Sequence, residues 1–122
     1  MNGIVWHTEF VSPHSDLLMD RTGVMTVATT DPGTHCIYLS DELYGAFLTK
    51  VLVHELGHCV MISYGLLRDI HTMVYPEYWI SMEEWVCNFI ANYGMEIFQQ
   101  ASSILGYKAI DILPYELEKL IE

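Results

Sequence analysis

One run, VLVHELGHCV at positions 51–60, constrains this chain more than any other. Around it Leu43, Phe47, Leu48, Val51, Leu52, Leu56, Cys59 and Val60 recur at intervals of three and four, the period of a buried α-helix. His54, Glu55 and His58 stand inside that apolar run. Burying a polar group without a partner costs roughly 2–7 kcal/mol, and a charged one more. Either the three face water or something on the inside compensates them.

His54 and His58 are four residues apart, so on a helix they project from one face, one turn above the other. Both imidazoles then reach a single Zn²⁺, and Glu55 beside them can polarise a zinc-bound water. This is the H-E-x-x-H pattern, with Gly57 allowing close approach of a second backbone segment. A bound metal is the expected compensation for the two imidazoles. A catalytic zinc needs three protein ligands plus a water, a structural one four. The chain offers no Cys pair or second His pair to close a structural tetrahedron. Candidates for the third ligand are Glu83, Glu84, His71 and Cys87; for Glu84 the alternative role is to cap its own helix together with Ser81.

The flanking sequence sets the fold class. GIVWHTEFV alternates, with Ile4, Trp6 and Phe10 on one side and His7 and Glu9 on the other, and reads as a half-buried strand. Residues 12–22 are polar and irregular. GVMTVATT and HCIYLS are β-rich and flank DPGT, which predicts a hairpin closed by a type II turn, or by a type I turn with a bulge. From about Ser40 the period becomes helical, with Ser40 or Asp41 as cap and Gly65 as stop. RDIHTMVYPEYWI reads as an aromatic-rich connection. A second helix is expected over SMEEWVCNFIANYGMEIFQQ with Ser81 and Glu84 at capping-box spacing, and a short last one over LPYELEKLIE with Pro114 in its first turn. Strands followed by helices predict an α+β fold in a single domain spanning 1–122, with an antiparallel or mixed N-terminal sheet packed on the H-E-x-x-H helix.

Composition excludes some functions. Five basic against sixteen acidic residues give a net charge of -11, which argues against phosphate-mediated nucleic-acid binding and against an anionic membrane surface. The N-terminus lacks the features of a secretory signal, and no stretch approaches eighteen uncharged apolar residues, so no membrane span is expected. Three scattered cysteines, Cys36, Cys59 and Cys87, are not a disulfide framework and suit a reducing, cytoplasmic setting.

HCIYLS, LVHELGHCV and EEWVCNFIA together resemble the ImmA/IrrE family of zinc metallopeptidases, within the gluzincins. The likeness covers about residues 35–95. It implies that His54, His58 and Glu84 hold the zinc, that Glu55 is the general base, and that Glu84, Cys87, Asn88 and Ala91 fall on the family's second-helix motif. It implies a minimal zincin-like domain acting on a protein or peptide substrate, in a family many of whose members belong to phages or mobile elements. Ile90 stands where the family often has Phe, and NYGMEI replaces its usual Leu-Leu-Met-Pro ending.

His71, Tyr75 and Tyr78 are candidates for stabilising an oxyanion opposite the glutamate, with His71–Trp79 as a cleft wall; ordinary packing is the competing role for these residues. His7, His14 and His35 are expected on loops and surface, and Cys59 and Cys87 in the core. The strand HCIYLS leads into the metal helix, so its edge is the expected place for an extended peptide to pair. The competing functions are a zinc-containing binding module of the same fold that cleaves nothing, and a hydrolase of a non-peptide amide.

Overall fold

The computed structural model of this chain describes residues 1–106; the helix expected over LPYELEKLIE lies outside them. Strands β1 (His7–Val11), β2 (Ala28–Asp31) and β3 (Cys36–Ser40) form one mixed sheet in the order β1-β3-β2. β3 pairs in parallel with β1, His7 opposite Cys36, and antiparallel with β2, Ala28 opposite Leu39. The hairpin around DPGT therefore forms. Its positive φ falls on His35 (53°) rather than on Gly33, which removes the type II option.

β3 is the central strand, paired on both sides. The expectation that the edge of residues 36–40 receives a peptide is overturned, because β1 returns in parallel onto the side that the hairpin leaves open. β1 itself is mostly exposed rather than half-buried, with Phe10 at the surface.

Helix α1 (Gly45–Ser63) lies on the sheet through Ala28, Ile37, Leu39 and Cys59, joined by Val51, Leu52 and Leu56. It begins later than its sequence predicts. Ser40 completes β3, its hydroxyl accepting the Glu42 N–H at 3.3 Å, and neither Ser40 nor Asp41 caps the helix. Gly65, at φ +68°, ends it as expected. Phe47 and Val60, counted with the buried stripe by period, are exposed. The end of α1 is tied to the N-terminus: Trp6 Nε1 donates to Ser63 Oγ at 2.8 Å, and Asn2 Nδ2 to the Ser63 carbonyl at 3.0 Å. By length and composition alone α1 would also cross a membrane, which the count of uncharged residues does not anticipate.

The stretch read as a connection contains helix α2 (Leu67–Met73), followed by a short 3₁₀ turn at Pro76–Tyr78 that runs into α3 (Trp79–Phe89). Pro76 starts the turn, so Ser81 already lies inside the helix and the Ser81–Glu84 capping box does not form. A π-helical turn, Ile90–Gly94, links α3 to α4 (Met95–Leu105). A second core of Met61, Ile70 and Cys87 joins α1, α2 and α3. At Gly57 α1 and α3 meet: a Cβ there would stand 3.1 Å from Cys87 Sγ and 3.5 Å from Cys87 Cα. The missing side chain lets α3 approach the turn of α1 that carries His54 and His58.

Candidate metal centre

The close contact at Gly57 brings the next turn of α3 against the histidines. His54 Nε2 and His58 Nε2 face each other at 3.2 Å. The Glu84 carboxylate closes the triangle, with Oε2 3.1 Å from His54 Nε2 and Oε1 3.3 Å from His58 Nε2. Ligand atoms about 2.0–2.1 Å from a tetrahedral zinc are separated by roughly 3.3–3.4 Å. The three side chains therefore fit one Zn²⁺ with little rearrangement, and they form a His/Glu group able to hold a metal ion.

Glu83, the neighbouring candidate, has another place. Its Oε2 accepts from His58 Nδ1 at 2.9 Å and is also paired with Arg21. It bonds the ring nitrogen that points away from the triangle, and so orients the ring with Nε2 towards His54 and Glu84. Buried Glu83 and half-exposed Glu84 thus divide the roles that adjacent positions left open in the sequence. Cys87 is fully buried between the helices and makes no part of the triangle.

Glu55 is also buried, and the Thr30 hydroxyl on β2 donates to its Oε2 at 2.5 Å. His54, Glu55, His58, Glu83 and Glu84 all line one cleft of about 870 Å³, together with Arg21, Thr29, Thr30, Asp31, Tyr38 and Asn88. Thr30 and Arg21 were not singled out by their sequence. Each sits in a polar or β-rich stretch with no spacing signal, and only the hairpin and the loop before it bring them to α1 and α3.

His71, Tyr75 and Tyr78 do not join the cleft lining, nor does Trp79. His71 stacks on Trp79 with centroids 3.9 Å apart, and Trp79 Nε1 donates to the Val74 carbonyl at 3.2 Å, so these rings brace α2 against α3. Tyr75 and Tyr78 are exposed. The expected oxyanion and wall positions are therefore not beside the histidines here: His71 and Trp79 pack on each other, and Tyr75 and Tyr78 face outward. His7 and His14 are exposed, as expected, and His35 rests against Trp6.

The electrostatics follow from the crowding. Burial works to lower the His58 pKa, but hydrogen bonds to the Cys87 sulfur, Glu83 and Glu84 outweigh it and push it from 6.5 up to about 12. Hydrogen bonds from His54 and His58 hold the Glu84 carboxyl well below the usual carboxylate range, against burial. Glu83 is lowered despite its burial, by His58 and Arg21. A raised His58 stabilises the metal-free fold fully below 6.5 and progressively less as pH climbs towards 12; the lowered glutamates stabilise it above 4.5 and lose this as pH falls. The metal-free protein should therefore be most stable between pH 4.5 and 6.5. A metal ion held by this group would have to displace the His58 proton, so any rise in melting temperature on adding zinc should grow with pH. Thermal melts with and without zinc between about pH 5 and 8.5 check both slopes. A metal-free melting temperature that rises above pH 6.5 contradicts them.

No family model, curated protein or solved structure matches the chain. The functional reading rests on the residues.

Proposed function

We propose that this chain is a zinc-dependent metallopeptidase of ImmA/IrrE type, with His54, His58 and Glu84 as zinc ligands and Glu55 as general base. The observation that carries the reading is the convergence of two imidazole nitrogens and the Glu84 carboxylate, at 3.1–3.3 Å from one another, from two helices whose residues His58 and Glu84 lie 26 positions apart. The H-E-x-x-H helix lying on a mixed sheet, with Glu84 on a following helix, supports this reading.

Bound zinc would supply a Lewis acid that polarises the scissile carbonyl and acidifies a water. Glu55 takes the proton of the attacking water and delivers it to the leaving amine. Thr30 holds one Glu55 oxygen, leaving the other for that transfer. The outer side of β2 carries no strand partner among the described residues, and Thr29, Thr30 and Asp31 line the cleft, so an extended substrate has a strand edge on this flank. The cleft's volume falls within the range of about 300–1,000 Å³ usual for ligand sites.

Zinc analysis of the purified protein, joined to cleavage of a peptide library with and without a chelator, tests the reading. The expected result is one zinc per chain and chelator-sensitive cleavage. A chain that takes up no zinc overturns the metal site; a zinc-loaded chain that cleaves nothing overturns the peptidase and leaves the binding module.

A further inference from the structure

Arg21 belongs to a loop read from sequence as irregular, yet that loop is tightly built. The Asp20 carboxylate accepts the N–H groups of Thr22 and Val24 at 2.8 and 3.0 Å and the Thr22 hydroxyl at 2.6 Å. Gly23, at φ +85°, turns the chain back, and Met19 bridges to Met25 across the base of the loop. Its tip reaches α3, where a single guanidinium nitrogen of Arg21 touches both carboxylates: Glu83 Oε2, and Glu84 Oε1 at 3.4 Å.

These two contacts bear on different parts of the metal centre. Glu83 orients His58, and Glu84 is the third ligand of the proposed site. We propose that Arg21 is a positioning residue for the metal, one that keeps Glu83 on the His58 ring and fixes the direction in which Glu84 presents its oxygens to the histidines. The inference rests on the zinc-site reading above.

The sign of the effect separates positioning from simple charge. Arg21 is a cation close to a cation site, so if it acted only through its charge, removing it would tighten metal binding. If it holds the carboxylates in place, removing it weakens binding, and groups that orient metal ligands typically contribute about 10–100-fold in affinity. Arg21→Met removes charge and donors together. Arg21→Lys keeps the charge but loses the planar nitrogen that serves two carboxylates at once.

The experiment measures zinc affinity by competition with a chromophoric chelator, and the visible absorption spectrum with cobalt(II) alone, for wild type, Arg21→Met, Arg21→Lys and Glu84→Ala. Positioning predicts zinc binding weakened about 10–100-fold in Arg21→Met, a smaller loss in Arg21→Lys, and a changed cobalt spectrum in both. Zinc binding in Arg21→Met as tight as in wild type, or tighter, overturns it, as does an unchanged cobalt spectrum. Melting of the metal-free variants checks the fold; should Arg21→Met not fold, Arg21→Lys decides, and wild-type affinity there overturns the proposal. A wild type that binds neither metal sinks the zinc-site reading itself, whereas a binding wild type matched by Arg21→Met sinks only the role of Arg21.

Discussion

Replacing Glu84 with alanine should abolish stoichiometric zinc at micromolar protein while leaving the chain folded. Structural zinc sites with four ligands bind with about 10–16 kcal/mol, so one ligand carries on the order of 3 kcal/mol, or 10²–10³ in affinity. The loss should be larger than that of Glu83→Gln, because Glu83 touches His58 Nδ1 and not the triangle of facing atoms. The fold should survive because Glu84 is half-exposed and belongs to neither apolar core. Zinc content after dialysis, compared across Glu84→Ala, Glu83→Gln and His54→Ala, is the measurement. If Glu83→Gln loses its zinc while Glu84→Ala keeps it, the two glutamates have been assigned the wrong way round.

That ordering was only partly legible in the sequence. The H-E-x-x-H pair was readable because i, i+4 spacing on an apolar helix is a local property, and α1 displays both imidazoles together as the period requires. The choice between Glu83 and Glu84 was not local. Adjacent residues on a helix point about 100° apart, and which one faces α1 depends on how α3 rolls against Gly57 and Cys87. The family likeness favoured Glu84 without a geometric reason; the geometry adds that Glu83 is taken up by His58 and Arg21.

The errors have a common physical source. Alternation and β-branched residues marked β3 as a strand, but they do not say which strands lie beside it. The parallel return of β1 is a long-range contact with no local signature, and it made β3 central. The capping box failed for a related reason: Ser81 and Glu84 have the right spacing, but Pro76 had already started the turn that runs into α3. The position of Tyr75 and Tyr78 in sequence between α1 and α3 suggests a place beside the cleft. A helix where a loop was expected, α2, carries that segment elsewhere.

Glu55→Gln should leave the metal in place and remove the chemistry. The amide is isosteric with the carboxylate, and its oxygen can still accept the Thr30 hydroxyl, so the packing of α1 against β2 should hold. Zinc content and melting temperature should match wild type, because Glu55 is not one of the three residues proposed to hold the metal. What the amide cannot do is accept a proton from water and pass it to the leaving amine, and a positioned general base contributes about 10²–10⁴-fold. Cleavage of a substrate taken from the peptide library should fall by that factor in kcat at equal zinc occupancy. Thr30→Val sharpens the test from the other side. It keeps the carboxylate but removes the Thr30 hydroxyl that holds Glu55 Oε2, so it should lower kcat modestly rather than abolish turnover. Undiminished cleavage by zinc-loaded Glu55→Gln would remove Glu55 as the base. A wild type that binds zinc yet cleaves nothing in the library would instead make both variants silent in the assay and turn the conclusion to a metal-containing binding module.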